Sequence, residues 1–235
     1  MLKEYNAKRN FKNTPEPSAR KHTMGDHFRF VVQRHDATRL HYDFRLELGG
    51  VLKSWAVPKG PSMNPNDKRL AVHVEDHPSD YITFHGTIPE GNYGAGEVEI
   101  WDKGNFIPVN ANIEPISERQ ALQALKNGEL KFVIQGNILA GEFVIVRLKD
   151  DDKNWLLIKH KDEYAVKTVF NPEKFRKDKP AKATKSKAGK AAPKAAAKAP
   201  RKSASKTVRK SASRATSKSA PKKKAATRTY AGKKS

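Results

Sequence analysis

From residue 28 onward, apolar and polar residues alternate in short runs with the two-residue period of a strand. The runs are FRFVVQ (28–33), RLHYDFRLEL (39–48), VLKSWAV (51–57), RLAVHVED (69–76), YITFH (81–85) and GEVEIW (96–101). Gly49 and Gly50 separate two of them and form a two-residue hairpin signal. A helix is predicted over 117–127, where Ser117 and Gln120 stand at capping-box spacing ahead of ALQALKN and Gly128 suits the position after the last turn. Three more strands follow: LKFVIQ (130–135), EFVIVRL (142–148) and NWLLIKH (154–160). Many short alternating strands with so little helix predict a mainly β protein, an antiparallel barrel or sandwich with one or two flanking helices. Parallel strands would need a helix between each pair.

The flanks read differently. Residues 1–27 are polar, carry Pro15 and Pro17, and predict an extended arm rather than a regular element. After about residue 171 the apolar periodicity disappears, so the strand-rich body is placed at 28–170 and a tail at 171–235. Residues 181–235 hold 19 Lys and Arg and no acid, leaving 28 basic against all 25 acidic residues in the rest of the chain. The body is thus close to neutral and the tail carries nearly all of the +22. Such a stretch buries too little apolar surface to offset its ordering entropy, so it is expected to be disordered when free and to bind DNA phosphates by counterion release.

A body of this size can form one core without staples. The absence of cysteine excludes disulfides and thiolate metal sites and fits a reducing compartment. No signal-peptide core and no apolar run long enough to span a bilayer is visible, so the expectation is a soluble, non-secreted protein that does not engage membranes.

The chemistry concentrates on two strands. In HYDFRLEL, Tyr42, Phe44, Leu46 and Leu48 fall on one face and His41, Asp43, Arg45 and Glu47 on the other. In RLAVHVEDH the same parity separates Leu70, Val72 and Val74 from Arg69, His73, Glu75 and His77. Solvated strand faces account for such rows in most antiparallel sheets. Residue type argues otherwise, since solvated faces favour Lys, Glu, Thr and Ser. Two imidazoles and a carboxylate hold a divalent first-row metal facially. His41 and Asp43 share a face, and His35 can return from the preceding turn. Arginine forks match phosphate oxygens, so Arg45 and Arg69 beside a metal suit a phosphoryl group. The Gly-rich GNYGAGE (91–97) lacks the ending of a phosphate loop and reads as a tight turn. Ser54, Ser62 and Ser79 have no nucleophile context, and Trp55, Trp101 and Trp155 read as core.

The run FVVQRHDATRLHYDFRLELGGVLKSWAVPKGPS, followed by RLAVHVEDHPSDY and GTIPEGNYGAGEVEIWDKGNF, closely resembles the 3′-phosphoesterase module of bacterial end-joining ligases of the ligase D type, over roughly residues 5–165. The resemblance implies a small β-barrel with a manganese-dependent site in its crevice. It implies metal ligands at His35, His41 and Asp43, with Arg45 and His77 near the scissile phosphate, and it places Lys59, Arg69, Glu75 and Tyr81 at further site positions. It also implies a contribution to removal of a terminal ribonucleoside from Arg9 and Glu16 of the arm. His73 is not among the family's site positions and reads as an incidental surface residue. One departure stands out: the family usually carries an aspartate where this chain has Asn10.

The implied reaction is hydrolysis at a DNA 3′ end, first to a 3′-phosphate and then to a 3′-hydroxyl that a polymerase or ligase can use. Ends bearing a 3′-ribonucleotide or 3′-phosphate are the implied substrates, and end-joining ligases and DNA-end-binding proteins the implied partners. A cytoplasmic, nucleoid-associated location follows from that role. Two other readings stay open at this stage: a non-haem iron oxygenase on a β-barrel, and an inactive DNA-binding protein whose tail does the work.

Overall fold

The structure, a computed structural model, describes residues 2–18, 28–149 and 151–176. The lysine-rich segment and its predicted disorder lie outside the described residues.

The alternating runs become strands β1 (Phe28–Asp36), β2 (His41–Leu48), β3 (Val51–Val57) and β4 (Arg69–His73). After them come two short strands, β5 (His77–Pro78) and β6 (Gly86–Ile88), and the long β7 (Gly96–Val109). Helix α2 (Glu118–Asn127) leads into β8 (Glu129–Gly136), β9 (Ala140–Arg147) and β10 (Asn154–Lys159). Neighbours pair antiparallel in the order β1-β2-β3-β4-β10-β9-β8-β7, and β7 returns to β1. The ring closes an eight-stranded barrel, which leaves none of its eight strands as an open edge.

Local chemistry explains several joints. Gly49 and Gly50 both adopt positive φ, +67° and +72°, and Leu48 pairs with Val51 across them, the geometry of a two-residue hairpin. Ser117 and Gln120 form the reciprocal capping box, and Gly128 ends α2 in the left-handed region. A Cβ at Gly104 of β7 would lie 2.0 Å from the carbonyl oxygen of Gln135, so only glycine lets β7 approach β8 there. The buried Asp102 accepts backbone N–H groups from Lys103, Asn137, Ile138 and Leu139 and so pins the β8–β9 turn to β7.

The interior is apolar and aromatic. Phe30, Tyr42, Phe44, Leu46, Leu48, Phe106, Phe132, Phe143 and all three tryptophans pack within it. The opposite parity of β1, β2 and β3 faces outward but, from Val31 onward, is mostly buried. Val31 and Leu52 meet Tyr5, Tyr81, Ile82, Phe84 and Ile88 in a second apolar cluster laid over the outside of the barrel wall.

Four sequence expectations change here. Residues 81–85 are not a strand: Ser79–Thr83 form a 3₁₀ turn, because Gln33 donates from Nε2 to the carbonyls of Tyr81 and Phe84 while Tyr81, Ile82 and Phe84 are all buried. The arm is not wholly extended, since Lys3–Ala7 form a short helix, α1, that buries Tyr5. The tail does not begin at 171. Pro172–Phe175 form a 3₁₀ turn held to the barrel by Glu173, which accepts from Arg34 and Tyr42, and by the Arg176–Glu99 pair.

The fourth change concerns β4, which ends at His73 and turns its polar parity inward. Its register is set by Trp55 opposite His73 and Trp155 opposite Ala71, with both indoles facing the core. His73 is therefore no incidental surface residue. Its ring packs on Trp55 and Trp155, and burial lowers its pKa.

Candidate active site

The hairpin register builds the site. His35 on β1 lies directly opposite His41 on β2, and Asp43 follows two residues later on the same outer face. Each of the three offers a ligand atom, and these atoms all lie within 4.8 Å of one another. The cluster sits on the outside of the barrel wall, not inside the barrel, beneath the arm.

Hydrogen bonding fixes the imidazoles. His35 Nε2 lies 2.9 Å from the carbonyl oxygen of Gly94, and His41 Nδ1 lies 2.9 Å from that of Arg39. A carbonyl only accepts, so both nitrogens carry hydrogen, and the remaining nitrogen of each ring faces Asp43. His35 Nδ1 is 3.5 Å from Asp43 Oδ2, and His41 Nε2 is 3.6 Å from Asp43 Oδ1. Two imidazole nitrogens and a carboxylate oxygen that converge in this way can share one cation. A histidine tied through its far nitrogen to a backbone carbonyl is the usual support of a metal ligand. The donor set fits a divalent ion.

Arg45 stands beside the cluster, 2 % exposed. It donates to Asp43 Oδ2 at 3.0 Å, Gln33 Oε1 at 2.7 Å and Ser54 Oγ at 2.9 Å, and lies over the Tyr81 ring. Burial pushes the Asp43 carboxyl up, but Arg45, His35 and His41 together hold it well below the usual carboxylate range. Gln33 and Ser54 are thus part of the support. Sequence reasoning gives neither of them this role, although Gln33 shares the parity of His35.

The chain breaks out of β4 after His73, and this swings Glu75 and His77 into the same crevice. His77 Nδ1 donates to the carbonyl of Glu75 at 2.8 Å, which leaves Nε2 to accept from Arg9 Nη2 at 3.0 Å. Burial, then Arg45 and Arg9, hold the His77 pKa well below its usual 6.5, so the ring is neutral. Arg9 also donates to Glu16 at 2.9 Å and to Glu75 at 2.8 Å. Tyr81 donates its hydroxyl to Glu16 at 3.1 Å, and burial raises its pKa well above 10.0.

The resulting crevice measures about 220 Å³ and gathers Arg9, Glu16, His35, His41, Asp43, Arg45, Glu75, His77 and Tyr81. Two arginines face three carboxylates, a formal balance of −1 that a divalent ion turns to +1. Only the second sign draws in a phosphate.

Three residues of interest lie elsewhere. Lys59 is exposed, and Arg69 donates to Asp67 and to the carbonyl of Phe170; together they line a separate pocket beside Leu70. The inward register of β4 is what removes Arg69 from the crevice. The Asn10 side chain is exposed and accepts from the backbone N–H of Lys12, closing its own turn.

Residues 33–147 match the DNA ligase D 3′-phosphoesterase domain. The multifunctional non-homologous end joining protein LigD of Pseudomonas aeruginosa is 49% identical over 168 residues, 70% of this chain and 19% of that protein. Its counterpart in Mycolicibacterium smegmatis is 39% identical over 175 residues, 74% of this chain and 22% of that protein. The multifunctional non-homologous end joining DNA repair protein LigD of Mycobacterium tuberculosis is 40% identical over 163 residues, 69% of this chain and 20% of that protein. The chain spans about a fifth of the length of these curated relatives. The matched stretch runs from within β1 to the end of β9 and contains His35, His41, Asp43, Arg45 and His77, so this part of the chain belongs to the DNA ligase D 3′-phosphoesterase domain family.

Proposed function

We propose that this protein is a divalent-metal-dependent phosphoesterase that repairs DNA 3′ ends. It hydrolyses the diester to a 3′-terminal ribonucleoside and then removes the remaining 3′-phosphate, leaving a 3′-hydroxyl for polymerase or ligase. The observation that carries the reading is the pair of carbonyl-anchored imidazoles aimed at Asp43 beside Arg45. In the first step water adds its oxygen to phosphorus and the 5′ oxygen of the ribonucleoside leaves with a proton. In the second, water displaces the DNA 3′ oxygen as phosphate departs.

His35, His41 and Asp43 hold the ion, for which Mn²⁺ is the proposed occupant. When bound, it polarises a phosphate oxygen and lowers the pKa of a coordinated water. Arg45 needs no reorganisation to act, because Gln33 and Ser54 already fix its plane against the crevice, where charge builds on the phosphate oxygens. Arg9 presents a second guanidinium from the arm. His77 is an acceptor at Nε2, not a proton donor, since its Nδ1–H is committed to the Glu75 carbonyl. Family membership and the choice of two arginines over an open aqueous face favour this chemistry over an oxygenase.

The test is incubation of the purified protein and Mn²⁺ with a primer-template ending in one ribonucleotide. The expected result is sequential appearance of the 3′-phosphate and 3′-hydroxyl strands, abolished by chelation. Persistence of the starting strand with metal present excludes the reading.

The lysine-rich segment has its own proposed role, to hold the barrel near DNA and so near partner ligases and end-binding proteins. Truncation after residue 180 is expected to weaken DNA retention and to flatten the dependence of log K on log salt by about 0.9 for each phosphate the shortened chain no longer neutralises. A truncated chain with the parent's slope removes the tether.

A further inference from the structure

A wider groove of about 940 Å³ adjoins the crevice and shares Val74, Glu75 and Tyr93 with it. Tyr93 stands at the junction, 49% exposed. Lys8 Nζ lies 5.0 Å and the Arg9 guanidinium 5.4 Å from the ring centroid. The turn that carries Tyr93 is tied to the His35–His41–Asp43 cluster. That turn has positive φ at Gly91 and Gly94, and the carbonyl of Gly94 is the one that anchors His35.

The groove's charge says what it accepts. Lys8, Lys53 and Lys153 meet four carboxylates there, a balance of −1 that disfavours a run of phosphodiesters and tolerates an uncharged ligand. Its carboxylates also accept hydrogen bonds from hydroxyls.

From these observations we infer that the groove receives the 3′-terminal ribonucleoside, with its base stacked on Tyr93. The inference rests on the proposed diester step. Beyond the scissile phosphate that nucleoside carries no further charge, so the carboxylates do not repel it. Its 2′- and 3′-hydroxyls suit their acceptor oxygens, and its base offers a flat π face of the kind exposed aromatics bind without regard to sequence. The second step, on a bare 3′-phosphate, places nothing in the groove.

Wild type, Tyr93→Ala and Tyr93→Phe are compared on three DNA primers: one ending in a ribonucleotide, one in an abasic ribose, one in a 3′-phosphate. The expected result for Tyr93→Ala is a loss in kcat/KM of roughly 5- to 100-fold on the base-bearing end, from stacking alone. The abasic and 3′-phosphate ends keep wild-type rates, and Tyr93→Phe behaves as wild type throughout. Equal loss on all three ends shows that the ring merely props Arg9 and overturns the inference, as does an unimpaired Tyr93→Ala. Failure of wild type itself on the 3′-phosphate overturns the phosphoesterase reading instead.

Discussion

His41→Ala and Asp43→Asn are each expected to lose on the order of 10³-fold or more in both hydrolytic steps while the barrel stays folded. Asparagine keeps the volume of Asp43 but not its charge, so the three lone-pair donors lose the anion that makes the cluster attractive to a divalent ion. Arg45 loses the ion pair that orients one of its Nη groups. The fold survives because the interior aromatics pack on the opposite face of β1 and β2. The measurement is turnover of a 3′-phosphate primer beside calorimetric titration of Mn²⁺ and a melting curve. Full phosphatase activity in either variant removes the metal assignment. His73→Ala supplies the contrast: its ring packs on the two indoles and should leave turnover unchanged.

Much of this site is legible in the alternation of HYDFRLEL, because a strand's parity places His41, Asp43 and Arg45 together whatever the tertiary fold. The Gly-Gly hairpin and the capping box are legible for the same reason: both are fixed by backbone conformations that few residues adopt. β4 shows where that reasoning stops. Parity separates its two rows, but which row faces the core depends on the indoles of Trp55 and Trp155 across the ladder, an interaction between distant parts of the chain. Parity alone accordingly puts Arg69 with the site and Leu70, 42% exposed, with the core.

The 3₁₀ turn at Ser79–Thr83 is illegible for a related reason. Its carbonyls are satisfied by Gln33, far away in sequence, and no local pattern announces that partner. The burial of the polar face is likewise supplied from outside its own strand, by an arm whose sequence reads only as polar.

Arg9→Ala is expected to undock that arm. Arg9 is 5% exposed in its side chain and serves Glu16, Glu75 and His77 at once. Its loss leaves Glu16, whose Oε2 already lacks a partner among the described residues, and Glu75 buried with their main cation gone. Breaking a buried pair from one side costs about 3–5 kcal/mol. Burial of Tyr5 returns about 2–3 kcal/mol, with Leu2 and Phe11 packed beside it, so the loss is comparable to what holds residues 2–18 in place and they detach more readily while the barrel need not unfold.

The same network sets a pH dependence. Burial lowers the His77 pKa first, with Arg45 and Arg9 adding to it, so the undocked arm favours proton uptake and docking weakens as pH falls below about 6.5. Burial raises the Glu75 carboxyl, but Arg9 and Lys8 bring it net below its usual 4.5. Its contribution is full above that value and lost as pH falls through the depressed one, so acid acts in the same direction on both groups. In wild type, hydrogen exchange of residues 2–18 should therefore rise in two steps on acidification. In Arg9→Ala exchange should already be fast at pH 7, with the diesterase step reduced more than the phosphatase step. An arm that stays protected in the variant, with the parent's pH profile, shows that apolar packing alone holds it and that the ion network has no part in closing the crevice.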